Sequence, residues 1–308
     1  MKKSTQHCIL TPILLGLSFL CVLQSAQGAG DLPTKFTNQG GIINTRHNLT
    51  QKPIGGSYII MDNYRNNYAE VCVYCHTPHG ANTTVDLPLW NRTVKSVSYT
   101  TYDTLNTTSL TSEVFQPGIT SRACLTCHDG TLAMDSILNM PGSGGYEAGQ
   151  ETIQNTSFLN LWTNEGDRKA VHMTFDATDL NPQTSYSCLV CHSKDAGILG
   201  GSATAFDLAA IGTNLTDEHP IGMDMPSVDF NSPSGVRSNI EWFDTDGDSR
   251  PDTDEIRLYN TGSGARVECA SCHDPHGVSP SGYGGTINPT FLRISNNGSA
   301  VCLTCHIK

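Results

Sequence analysis

The one long apolar run in the chain is residues 9–23. Beyond it, hydrophobic positions come in short clusters interrupted by Gly, Pro, Asn and Thr, and helical periodicity is brief wherever it occurs. This patterning predicts short helices at a few cysteine-containing turns, long irregular connections, and small strands near residues 57–61 and 255–259. Of 308 residues, 29 are Gly and 15 are Pro, and only 37% are hydrophobic, so a conventional apolar core is thin for this length. If the chain is compact, something other than side chains fills part of its interior. The fold class expected on these grounds is mostly irregular, with short α-helices and few or no strands.

The N-terminus reads as an export signal. Lys2 and Lys3 precede the apolar run, and Ser25, Ala26 and Gly28 supply small residues for cleavage. The run is short for a membrane span. Cys21 raises the alternative of a lipid anchor, but the bulky Leu20 before it departs from that pattern. The expectation is a signal peptide over residues 1–28 and an exported protein, periplasmic or extracellular, with no membrane span. The formal net charge is −11, and loss of Lys2 and Lys3 makes it more negative. An acidic chain argues against nucleic acid, whose phosphates need a basic face.

Cysteine usage changes the picture most. Of 12 cysteines, Cys8 and Cys21 belong to the leader. The other ten form five copies of one pattern: Cys72-x-x-Cys75-His76, Cys124-x-x-Cys127-His128, Cys188-x-x-Cys191-His192, Cys269-x-x-Cys272-His273 and Cys302-x-x-Cys305-His306. Cys-x-x-Cys-His is the attachment signal for c-type haem. Two thiols three residues apart share one face of a helical turn, where they add to the two vinyl groups of one porphyrin. The next residue then presents its imidazole to the iron. Competing chemistries fit less well. A redox dithiol needs no adjacent histidine. Zinc sites need paired Cys-x-x-Cys units and a different histidine spacing. Disulfides join distant partners and need no histidine.

The second axial ligand decides what such a haem does. Outside the motifs and the leader stand His47, His79, His172, His219 and His276, so five spare histidines match five motifs. The matched total points to bis-histidine iron throughout, with all ten histidines as ligands. Methionine is the rival, through Met173, Met223 or Met225. One assignment following sequence order gives His79 to the iron of His128, His276 to that of His306, and His47, His172 and His219 to those of His76, His192 and His273.

The chain also repeats. CHTPHG at 75–80 is followed by CLTCHDG at 124–130, and CHDPHG at 272–277 by CLTCHIK at 302–308. With PLWNR at 88–92 and EHPIG at 218–222, these segments resemble the doubled Cys-x-x-Cys-His multihaem cytochromes, a branch of the cytochrome c3-like proteins, over roughly residues 40–308. The resemblance implies a multihaem c-type architecture built around a close-packed haem chain, serving periplasmic or extracellular electron transfer. Its partners would be other redox proteins or extracellular acceptors. Some similar proteins polymerise head to tail into haem-lined filaments in which one subunit lends a histidine to the next; His47 near the mature N-terminus and a fifth motif at the C-terminus suit that arrangement and suit a monomer equally. The expected units are residues 29–150 with the first haem pair, 151–235 with a single haem, and 236–308 with an acidic loop and the second pair.

That loop, residues 244–255, places Asp244, Asp246, Asp248, Asp252 and Glu255 at EF-hand-like positions, with the carbonyl of Arg250 at position 7. Ser249 stands where the standard loop has Gly. The expectation is a structural calcium ion; the alternative is a solvated acidic turn. Two functions remain open: a pentahaem electron conduit without catalytic residues, not an enzyme, or a multihaem reductase with one open haem. The matched histidine count favours the first.

Overall fold

The computed structural model describes residues 37–50, 68, 70–110, 112–139, 173–185, 187–194, 205, 207–262 and 264–307. The leader, the strand expected at 57–61 and His172 lie outside them.

The described residues are organised by a five-stranded antiparallel sheet: β1 Met223–Asp224, β2 Gly235–Arg237, β3 Ile240–Trp242, β4 Arg257–Asn260 and β5 Ala265–Val267, in the order β1-β5-β4-β3-β2. Strands β2 and β3 form a hairpin in which Arg237 faces Ile240 across a two-residue turn; Ser238 takes a positive φ there, as the right-handed twist of a tight hairpin requires. Gly235 lies opposite Trp242, and a Cβ at 235 would fall inside the indole. Trp242 and Leu258 are buried on opposite faces of the sheet, Leu258 on the same face as Val236, which at the edge is 73% exposed.

This sheet corrects the expected fold class. The chain is not a mostly irregular architecture with few or no strands built around a haem chain; a sheet holds its C-terminal half. The expectation failed because the strands are two to four residues long, too short for alternation to register as a period. The small strand expected near 255–259 does have a counterpart in β4.

The helices are short and coincide with the cysteine turns: α1 Ile119–His128, α2 Leu189–His192, α3 Cys269–Cys272 and α4 Ala300–Cys305. The first motif occupies a 3₁₀ turn, Val71–Tyr74. The apolar core is divided into small clusters, one of Tyr68, Val73, Tyr74 and Ile137, another of Tyr99, Leu125 and Leu215. Both contain residues from between motif cysteines. Each such buried side chain stabilises the fold by about 1.5–3 kcal/mol and anchors its turn.

The sheet also joins two motifs. Strand β5 runs directly into α3, and Gly222 beside β1 bonds to both Val267 and Phe115, the latter just ahead of α1. Glu268, 1% exposed, caps both helices. It closes a capping box with Ser271 of α3, and it accepts from Gly118 N at 3.0 and 3.1 Å and from the Ser121 hydroxyl of α1.

Candidate metal centres

In four of the five turns at least one residue between the cysteines is buried against the protein. Val73, Tyr74, Leu125, Leu189 and Val190 are buried, whereas Cys72 and Cys302 are exposed and all ten thiols are free. Burial, the largest cause in each case, pushes Cys75, Cys188 and Cys305 up to about 12 and Cys269 and Cys272 up to about 11. A redox dithiol needs the opposite, a depressed thiol value. Among the described residues, no set of three or more converging metal donors includes a cysteine or a histidine, so a zinc cluster is not formed.

Three of the turns share one scaffold. After the motif histidine, a distant segment bridges back: His76 pairs with Trp90, His273 with Leu292 and His306 with Phe230. The residue after each bridging partner, Asn91, Arg293 or Asn231, donates its N–H to the second cysteine carbonyl at 2.8 Å. Its side chain donates to the carbonyl of the residue after the first cysteine, Val73, Ala270 or Leu303, at 2.8, 3.0 and 3.1 Å. The sequence reading singled out PLWNR but missed this clamp; the signal is a Leu or aromatic residue followed by Asn or Arg.

The imidazoles are oriented through Nδ1. That atom meets Pro88 O in His76 (2.7 Å), Ala209 O in His128 (2.6 Å), Thr290 O in His273 (2.7 Å), Pro275 O in His47 (2.9 Å) and Pro220 O in His219 (2.9 Å). In His276 it meets a carboxylate, Asp274 Oδ1, at 2.9 Å. In every case Nε2 is left as the free ring nitrogen, the arrangement a metal-ligating histidine adopts.

The histidines then pair. His47 faces His128 with ring centres 6.2 Å apart, His76 faces His276 at 6.2 Å, and His219 faces His306 at 6.4 Å. Metal–imidazole bonds run about 2 Å and the ring centre lies about 1 Å behind its nitrogen, so two imidazoles on opposite sides of one metal have centres about 6 Å apart. Each pair joins one motif histidine to one spare histidine. The interplanar angles are 78°, 14° and 77° respectively. Burial together with the neighbouring His128 lowers His47 to about 4, and burial lowers His128, His219 and His273, so these rings are neutral near pH 7 as ligands must be.

The observed ring pairs differ from the assignment by sequence order. His47 meets His128 rather than His76, His276 meets His76 rather than His306, and His219 meets His306 rather than His273. Position along the chain does not reveal that Pro275 and His276 of the CHDPHG turn reach His47 and His76, while Cys272 of the same turn neighbours the fifth motif. His192 ends α2, and His172 lies outside the described residues. Among the described residues no imidazole stands opposite His273 or His79; His79 is exposed and bonds through its carbonyl to Thr77 and Asn139. Met223 is buried in β1.

Exposed apolar residues gather at the same places. Leu89 follows Pro88, Leu208 precedes Ala209 and Ile307 follows His306, at 55, 68 and 56% exposure. Phe291 stacks on His47 at 4.3 Å. Apolar surface left open at these positions can cover a flat apolar group.

The motifs also neighbour one another. Cys75 and Cys127, Cys124 and Cys269, and Cys272 and Cys305 are close enough to act on each other electrostatically. Cys188 Sγ lies 3.8 Å from Met134 Sδ, just beyond α1.

In the acidic loop, oxygens of Asp244, Asp246 and Glu255, and of Asp246, Asp248 and Asp252, lie within 4.8 Å of one another. Ser249 adopts the positive φ of 62° that glycine usually supplies at that position. The Arg250 N–H donates to Asp248 Oδ1 at 2.7 Å. Burial and repulsion from the neighbouring carboxylates raise Asp252.

No protein-family model matches the chain, and no curated protein matches it in sequence. No helix among the described residues is long and apolar enough to cross a membrane.

Proposed function

We propose that the chain is a pentahaem c-type cytochrome that carries electrons outside the cytoplasm and performs no substrate chemistry of its own. The carrying observation is the three facing imidazole pairs, each built from one Cys-x-x-Cys-His histidine and one spare histidine at 6.2–6.4 Å. The ten thiols of the motifs would hold the haems covalently, and the paired histidines would fill both axial positions. Haem c bound in this way supplies one-electron chemistry at a closed iron. The protein's part is to fix the imidazoles through Nδ1, to cover the porphyrin faces with Leu89, Leu208, Ile307 and Phe291, and to bring neighbouring motifs together. A calcium ion held by Asp244, Asp246, Asp248, Asp252 and Glu255 belongs to the same reading and would brace the loop between β3 and β4.

A second copy of the chain is the partner this reading favours. His47, the histidine whose terminal position suited lending to a neighbour, is engaged within its own chain by His128. His79, exposed and without a facing imidazole among the described residues, is the better donor, and His273 the site that lacks one. Optical and EPR spectra test the reading: the assembled, oxidised protein is wholly low-spin, and dilution exposes at most one high-spin haem per chain. A stoichiometric high-spin haem in the assembled protein would favour a reductase.

A further inference from the structure

The two CHxPHG turns are built alike but differ at one residue. In the first, Thr77 follows the motif histidine, and its hydroxyl donates to the His79 carbonyl at 2.8 Å. In the second, that place belongs to Asp274, whose Oδ1 accepts from both the N–H and the Nδ1–H of His276, at 3.0 and 2.9 Å. Its Oδ2 lies 3.2 Å from Arg293 Nη1. Arg293 is 4% exposed and is itself pinned by Thr253 O at 2.8 Å and Ala270 O at 3.0 Å. The carboxylate is therefore fixed, buried and aimed at one imidazole. The other five oriented histidines described above have only a neutral backbone carbonyl at Nδ1.

We infer that Asp274 is a positioning residue that sets the haem of the first motif, ligated by His76 and His276, as the lowest-potential of the three haems whose ligand pairs face each other here. This rests on the haem reading above. A carboxylate accepting from Nδ1–H draws the proton toward itself and makes the ring a stronger donor. A stronger donor favours Fe(III) over Fe(II), and hydrogen bonding behind an axial ligand is one of the levers that sets haem potential. The lever is local. The adjacent Pro275 carbonyl orients His47, which serves the second motif, so one tripeptide holds two distal ligands: one through a charge, the other through a neutral dipole. Electrons passing through the chain would meet their uphill step at the first motif.

The test is a spectroelectrochemical titration of the holoprotein with Asp274→Asn and Asp274→Glu. Asp274→Asn is expected to shift the reduction equilibrium of one haem by about tenfold toward Fe(II), which for a one-electron couple is ~59 mV, with the other haems unmoved; Asp274→Glu returns most of the shift. A simple structural role would move the His76 and His128 haems together, because the turn orients both His276 and His47, and that result overturns the inference. So does a low-spin, five-haem Asp274→Asn protein with unchanged potentials. If Asp274→Asn fails to load its haems, the wild-type protein decides. Near-parallel imidazoles give a rhombic EPR signal and near-perpendicular ones a signal of large gmax. The rhombic signal of the 14° pair must be the last of the three to vanish on reduction, and its earlier loss overturns the inference. A wild-type protein without haem refutes the functional reading; one with five haems that ignores Asp274→Asn refutes only this assignment.

Discussion

Replacing Glu268 by Gln should remove a large part of the protein's pH-dependent stability. Glu268 is 1% exposed and joins the helices of the second and fourth motifs. Burial raises its carboxyl from an ordinary 4.5 to about 7, although Ser121, the Gly118 N–H and Arg266 work the other way. A carboxyl whose value is higher in the fold than in the unfolded chain keeps its proton longer when folded. Stability then falls as pH rises from 4.5 to 7, because the unfolded chain gives up its proton first. At about 1.4 kcal/mol per pH unit, the wild-type chain loses about 3 kcal/mol over that interval and the Gln variant does not. The histidines lowered by burial push the other way, but they are common to both chains and cancel in the difference. Urea unfolding of both chains at about pH 4.5 and about pH 8 measures it. The expected result is a gap that moves by about 3 kcal/mol in favour of Glu268→Gln at the higher pH. Parallel stability curves, or a gap moving the other way, would refute the argument that Glu268 is held protonated between the two helices.

His276→Ala should open the first haem alone, giving one equivalent of carbon monoxide binding on reduction while the His128 and His306 haems stay closed; opening of the His306 haem instead would restore the pairing by sequence order. Chelating calcium should lower the thermal midpoint of the wild-type protein but not of an Asp244→Asn, Asp246→Asn double variant, and equal midpoints with and without chelator in the wild type would leave the acidic loop as a solvated turn. Gly235→Ala forces a methyl group into the Trp242 indole and should cost about 1–3 kcal/mol in chemical denaturation with the haem spectrum unchanged; an unaltered midpoint would mean that the hairpin is not packed as described.

The helical turns and all the cysteines were legible in the sequence because the Cys-x-x-Cys-His spacing is local. The facing histidines were legible as a number and not as pairs. His47 is oriented by Pro275, 228 residues away, and no local pattern carries that information. The sheet was missed for a different reason: β1 to β5 are stabilised by pairing and by Trp242 and Leu258, not by any run long enough to show a period. The clamp of Asn91, Arg293 and Asn231 was half visible, in PLWNR, because only one of its three copies was read as a phrase. Asp274 and Thr77 look interchangeable between the two CHxPHG turns until hydrogen bonds show that one reaches a ring nitrogen and the other a carbonyl.

The account stands on covalent haem at every Cys-x-x-Cys-His turn. A pyridine haemochrome assay on the purified protein, referred to protein mass, measures it directly. Five haems per chain are predicted, with no titratable thiol left among the ten motif cysteines; a colourless protein with ten reactive thiols would contradict it.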